Sequence, residues 1–243
     1  MDLIDHWRHV MRVLRREASG ARWRLGGPVF VAGFIASLVM GAALASTSLF
    51  LPGASGPELR GYYGGSGTAV TVSAVLQLVA AVGLLWFGRG ASAAVGGGQR
   101  AERATWLATF GFAVSSVLSL VLLGIAGSAS NGTLVFVGRL TLAFGGPVHL
   151  FGLAGLLWFV SRGARGDDRT PRWVWRFGAV VAPLMLLSVV SIAAPPLVRV
   201  EPLWRLLSAI WVITVCLRAT AGRKDADDGL RGLSLVVREG IPS

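Results

Sequence analysis

Six apolar runs, at residues 27–51, 68–88, 104–126, 133–160, 173–194 and 203–218, constrain this chain more than any other feature. A hydrocarbon core of roughly 30 Å takes about 20 apolar residues of helix to cross, and each run is near that length. A soluble protein burying one or two such helices would need amphipathic helices to cover them, and none of the six runs has a polar face of that kind. In lipid the backbone N–H and C=O groups have no water to bond, and a helix satisfies them internally. The expected fold is therefore all-α. It is a polytopic membrane bundle of six transmembrane helices over 27–218, preceded by a segment 1–26 and followed by a tail 219–243.

The formal charge of +11 would suggest nucleic acid in a soluble protein, but only 14% of the residues are charged and their placement excludes that partner. Arg8, Arg12, Arg15, Arg16, Arg22 and Arg24 precede the first run, and Arg89, Arg100 and Arg103 lie between the second and third. Arg162, Arg165, Arg169, Arg172 and Arg176 lie between the fourth and fifth, and Arg218, Arg223, Lys224, Arg231 and Arg238 follow the last. The alternate connections hold only Arg60, Arg139, Arg199 and Arg205 in or near them. Basic residues accumulate on the cytoplasmic side, so this alternation predicts an even number of spans in a bacterial plasma membrane with both termini cytoplasmic. Trp23, Trp86, Trp106, Trp158, Trp173 and Trp175 fall at the same ends, where amphipathic indoles favour the headgroup level, and Trp204 marks the other face.

Before the first run, Leu3, Trp7, Val10 and Leu14 recur at three- and four-residue steps with arginines mostly opposite, which predicts an interfacial amphipathic helix. Gly33, Ser37, Gly41 and Ala45 repeat every fourth residue, a stripe that lets another backbone approach closely in lipid. An internal repeat aligns Leu76-Gln77-Leu78 and Gly83-Leu84-Leu85-Trp86-Phe87 with Val148-His149-Leu150 and Gly155-Leu156-Leu157-Trp158-Phe159. Helical hairpins used more than once about an axis along the membrane normal would give this pattern.

Few residues in the spans carry chemistry. Pro147 in Gly145-Gly146-Pro147 removes a backbone donor, frees a carbonyl near residue 143 and predicts a kink. His149 then lies near mid-membrane, Gln77 holds the equivalent repeat position, and Arg139 sits about two turns inside the opposite end. Polar and ionisable groups at such depth face the bundle interior by default, so Arg139, His149 and Gln77 are the candidate ligand-binding residues. The plain alternatives are an Arg139 that snorkels to headgroups and a neutral His149 hydrogen-bonded across helices to Gln77 or Ser115. Glu58, Arg60, Arg199, Glu201 and Arg205 read as an outer rim, either closing over a mouth or forming surface ion pairs.

No catalytic set and no cofactor is expected. Cys216 is the only cysteine, which excludes an intramolecular disulfide and a thiolate metal cage. Two-histidine haem ligation would need a second intramembrane histidine, and His6 and His9 lie in the N-terminal segment.

The combination of Pro57 to Tyr63, Leu85-Trp86-Phe87, Gly145-Gly146-Pro147-Val148-His149 and Pro171-Arg172-Trp173 resembles a group of actinobacterial six-helix integral membrane proteins without an assigned activity. The likeness runs over most of 27–218 and implies fold and location but no functional residue. Three functions stay open. The bundle binds or transports a small solute or lipid, as a homodimer or alone. It serves as a structural or regulatory subunit that meets partner proteins through its cytoplasmic tails. Or it is a cofactor-free enzyme acting on a lipid, using His149, Glu58 or Glu201 as acid or base. No nucleophile, base and orienting group stand at a recognisable spacing, so a non-enzymatic role in the lipid bilayer is the expectation.

Overall fold

The computed structural model describes residues 3–48, 53–96, 98–166, 171–190 and 201–218, with side chains from Arg22 onward except at 166 and 188–190. The tail 219–243, Arg199 and the apolar face of residues 3–14 lie outside what is described. Among the described residues every regular element is helical. The order is α1 (Leu3–Leu44), α2 (Gly56–Gly65), α3 (Gly67–Ala94), α4 (Gly98–Ile125) and α5 (Asn131–Ala143). A π-helical turn (Phe144–Val148) then leads into α6 (His149–Gly163), followed by a 3-10 turn (Ala164–Gly166), α7 (Arg172–Val190) and a last helix, α8, over 201–218.

Among the described residues four helices are long and apolar enough to cross a membrane: Arg22–Leu44, Gly67–Ala94, Gly98–Ile125 and Asn131–Gly163. Their outward faces are apolar as well, with Val39, Val82, Phe110 and Phe136 more than half exposed. Water would oppose that surface, whereas lipid accommodates it. The fifth and sixth runs correspond to α7, described over 19 residues, and to α8, which carries Glu201, Arg205 and Arg218. α1 continues unbroken from Leu3 through Pro28 to Leu44.

Small residues set the packing. α1 and α3 lie so close at Gly26 and Gly83 that a Cβ on Gly83 would stand 2.6 Å from the amide nitrogen of Phe30. The stripe continues upward: Gly33 faces Ala80, Gly41 faces Ser73, and the Ser73 hydroxyl donates to the Ser37 carbonyl at 3.0 Å. Lipid tails are as apolar as leucine, so such close van der Waals contact is what holds helices together there. α4 packs between α3 and α6, and α6 packs on α7. α8 packs one face against the bundle, with Trp211 and Val212 buried, and leaves Leu203, Ile210 and Leu217 exposed on the other. Its Trp211 ring stands edge-on to Phe87 at 6.1 Å, and its indole N–H donates to the Val174 carbonyl at 3.3 Å.

The arginine-rich helix ends gather at one end of the bundle. Gly90 lies against Trp23, Arg89 pairs with Glu102 at 3.6 Å, Gly163 meets Val95, and Cys216 meets Gly27. The tryptophans there split by role. Trp86, Trp106 and Trp173 are exposed, the Arg162 guanidinium lies 4.5 Å from the Trp158 ring, and Trp23 is instead a core residue against Phe87. At the opposite end α2 is fixed by a capping box, in which Glu58 accepts from the Ser55 amide at 2.7 Å and the Ser55 hydroxyl oxygen accepts from the Glu58 amide. Arg60 reaches from α2 to the carbonyls of Ala126 and Ala129, both at 2.6 Å, and to the Asn131 side chain. It thereby satisfies carbonyls that the end of α4 leaves open.

Candidate functional site

Pro147 has no N–H, and the helix answers with a π-turn. Side chains from other helices bond to carbonyls at this turn and just before it. The Ser115 hydroxyl of α4 donates to the Thr141 carbonyl at 2.9 Å, and Arg205 Nη2 of α8 donates to the Gly145 carbonyl at 2.5 Å. Two glycines make room for this. A Cβ on Gly145 would strike Ser115, and one on Gly146 would stand 2.8 Å from a carboxylate oxygen of Glu201. Gly111 performs the same service on α4, where a Cβ would come within 2.8 Å of the Phe144 carbonyl.

Glu201 and Arg205 therefore meet the fourth long helix near its middle. Gly146 lies about 22 Å from Asn131 at about 1.5 Å per residue, within a helix of 33 residues. Glu201 is 3% exposed and Arg205 faces it one turn on, with Nη2 at 3.6 Å from the carboxylate. That separation is an ion pair without a direct hydrogen bond. The Nε of Arg205 is buried and has no hydrogen-bond partner among the described residues, and the indole nitrogen of Trp204 is in the same condition. The expectation of an outer rim is thus corrected for these residues: α8 enters the bundle at the level of the π-turn and carries its charges inward with it.

An aromatic wall stands beside the pair. The Arg205 guanidinium lies 6.0 Å from the Phe34 ring, Phe34 meets Phe112 at 6.1 Å, and Phe112 stacks on the His149 imidazole at 4.7 Å. His149 is 1% exposed, and its Nδ1 lies 2.9 Å from the Ala108 carbonyl. A carbonyl only accepts, so Nδ1 carries the proton, and in the neutral ring Nε2 is left as the acceptor.

The three residues singled out from the sequence have different fates. Gln77 is half-buried and accepts at 3.0 Å from Ser116, so it and His149 both turn toward α4, eight residues apart along that helix. His149 bonds to Ala108 rather than to Gln77 or Ser115. Arg139 is exposed on α5 and is not brought to His149. The residues that sequence reasoning placed elsewhere are Glu201 and Arg205. Their i, i+4 spacing across the start of the last apolar run was the available signal, since a span rarely keeps an ion pair without a use for it.

Fold and site together define an all-α, membrane-type helical bundle with a buried ion pair at a π-turn. No family model, no curated protein and no solved structure matches the chain, so the likeness to actinobacterial membrane proteins rests on the residues alone. Among the described residues no group of three or more histidine, cysteine or carboxylate side chains could hold a metal ion.

Proposed function

We propose that this protein crosses the bacterial plasma membrane six times with both termini cytoplasmic and binds or transports a small solute or lipid inside the bundle. The observation that carries the binding role is the Glu201–Arg205 pair set against the Gly145 carbonyl, with a further guanidinium donor left open. An intramembrane charge costs several kcal/mol and is kept where it meets a substrate, an ion or a partner charge. Non-helical backbone at membrane depth is tolerated where it lines a site, and broken helices form such sites in transporters. For the span count, α7 supplies about 28 Å of helix, close to the thickness of the hydrocarbon core, and α8 runs from the level of the π-turn to the arginine-rich end, where Cys216 meets Gly27.

Two experiments test this. With Cys216 replaced by alanine, single cysteines at Arg60 and Arg100 should label from opposite sides of sealed vesicles, and labelling from one side removes the proposed topology. For binding, the purified wild type, Arg205→Lys and His149→Ala are heated with a panel of small anions, cations and lipids. Ligands that stabilise the wild type should lose effect in the variants. Equal stabilisation of all three proteins by every ligand ends the binding reading.

A further inference from the structure

We infer that the ligand of this site is an organic anion with an apolar body, held by Arg205 in competition with Glu201; this rests on the binding role just proposed. The donor and acceptor balance around Arg205 points to the charge. Arg205 spends Nη2 on the Gly145 carbonyl, keeps its carboxylate partner at 3.6 Å, and has a buried Nε–H with no acceptor among the described residues. What the cluster lacks is an acceptor, and a guanidinium fork is matched best by a planar carboxylate or by a phosphate.

Two further features shape the rest of the ligand. Glu201 lies against Gly146 and approaches Arg205 without closing a hydrogen bond, so a ligand anion that bonds Arg205 directly would replace a weaker contact with a stronger one. The Phe34 ring lies 6.0 Å from the guanidinium and is followed by Phe112 and the stacked His149, all buried, so the surroundings of a bound anion are apolar and aromatic. A free organic acid and an anionic lipid headgroup share this chemistry.

The test uses the full-length protein in phosphatidylcholine nanodiscs, with benzoate as the probe and benzamide and benzylamine as its neutral and cationic counterparts. Benzoate should bind the wild type best of the three. It should bind Arg205→Lys, which keeps the charge but loses the fork, about 10- to 100-fold more weakly. Glu201→Gln, which removes the competing charge at constant shape, should bind about tenfold more tightly. Arg89→Gln, at the far end of the bundle, serves as a control and should match the wild type. If phosphatidylglycerol in the nanodisc displaces benzoate in the wild type, the headgroup is the source of the anion; if it does not, the free acid is.

Tighter binding of benzamide or benzylamine, still sensitive to Arg205, overturns the anion while leaving the binding site standing. No binding of any probe, or binding that neither Arg205→Lys nor Glu201→Gln alters, overturns both.

Discussion

Arg205 Nη2 donates to the Gly145 carbonyl across sixty residues of sequence, and so joins the last helix to the one irregular turn of the fourth long helix. This bond couples two departures from ordinary membrane-helix chemistry. A proline without an N–H opens the backbone, and a guanidinium that lipid would not tolerate finds its acceptor there. Each accounts for the other, since an unsatisfied carbonyl and an unpaired cation are both costly away from water.

Removing one member of the Glu201–Arg205 pair should therefore cost more than removing both. Arg205→Ala should lower stability by about 3 kcal/mol, because it takes the nearby cation from a buried carboxylate. The double variant Arg205→Met, Glu201→Leu should recover most of that loss. Thermal unfolding in one detergent, read as a double-mutant cycle with Arg205→Met and Glu201→Leu as the single variants, checks this; a loss in the double variant equal to the sum of the two single losses would show that the pair is not coupled.

The glycines divide into two classes that alanine should separate. Gly83→Ala and Gly152→Ala put a methyl into the backbone of a neighbouring helix and should cost about 1–3 kcal/mol. Gly124→Ala in α4 meets nothing within 4 Å and should be neutral or stabilising by up to about 1 kcal/mol. Melting temperatures of the three variants measure the contrast, which vanishes if the α1–α3 and α4–α6 contacts are looser than described.

Arg60 should behave as a clamp on the turn between α4 and α5. Arg60→Ala removes its bonds to Ala126, Ala129 and Asn131 and should cost about 1–3 kcal/mol, with faster hydrogen exchange over residues 126–131. Lysine should rescue little, since a single ammonium does not reproduce the planar fork that spans two carbonyls. Exchange that stays at the wild-type rate in both variants would assign the fixing of this turn to apolar packing instead.

Glu58 gives a pH dependence with a definite sign. Its hydrogen bonds from the Ser55 hydroxyl and amide hold its pKa below the ordinary value of 4.5. The folded form thus favours the carboxylate, so its contribution is complete above the unfolded pKa and fades as pH falls through the lower, folded one. The melting-temperature advantage of the wild type over Glu58→Gln should be present at pH 6 and shrink toward pH 3. A constant difference across that range would mean that the cap does not titrate.

How much was legible beforehand varies by residue. The Gly33, Ser37, Gly41 stripe read as a packing face, and it meets Ala80 and Ser73 of α3, because a four-residue period places these positions on one line of a helix. The disturbance at Pro147 was legible as a lost donor, though neither its form, a π-turn, nor its bond from Arg205 of another helix was. His149 stood out by its depth, but its bond to Ala108 could not be foreseen, since backbone acceptors carry no sequence signature. Arg205 and Glu201 were misplaced at the rim because position along a run gives depth only if every helix starts at the membrane surface. α8 meets the π-turn near its own first residues instead.

By itself the sequence determined that the chain is helical and apolar enough for a membrane, and where its arginines and tryptophans fall along it. These follow from run length, hydropathy and local period, each a property of neighbours along the chain. Only the tertiary structure decided which polar groups share a site. Arg205, Glu201, Gly145 and Phe34 come from three separate helices, and their meeting depends on helix depth and rotation, which are set by close packing at glycines far from the site.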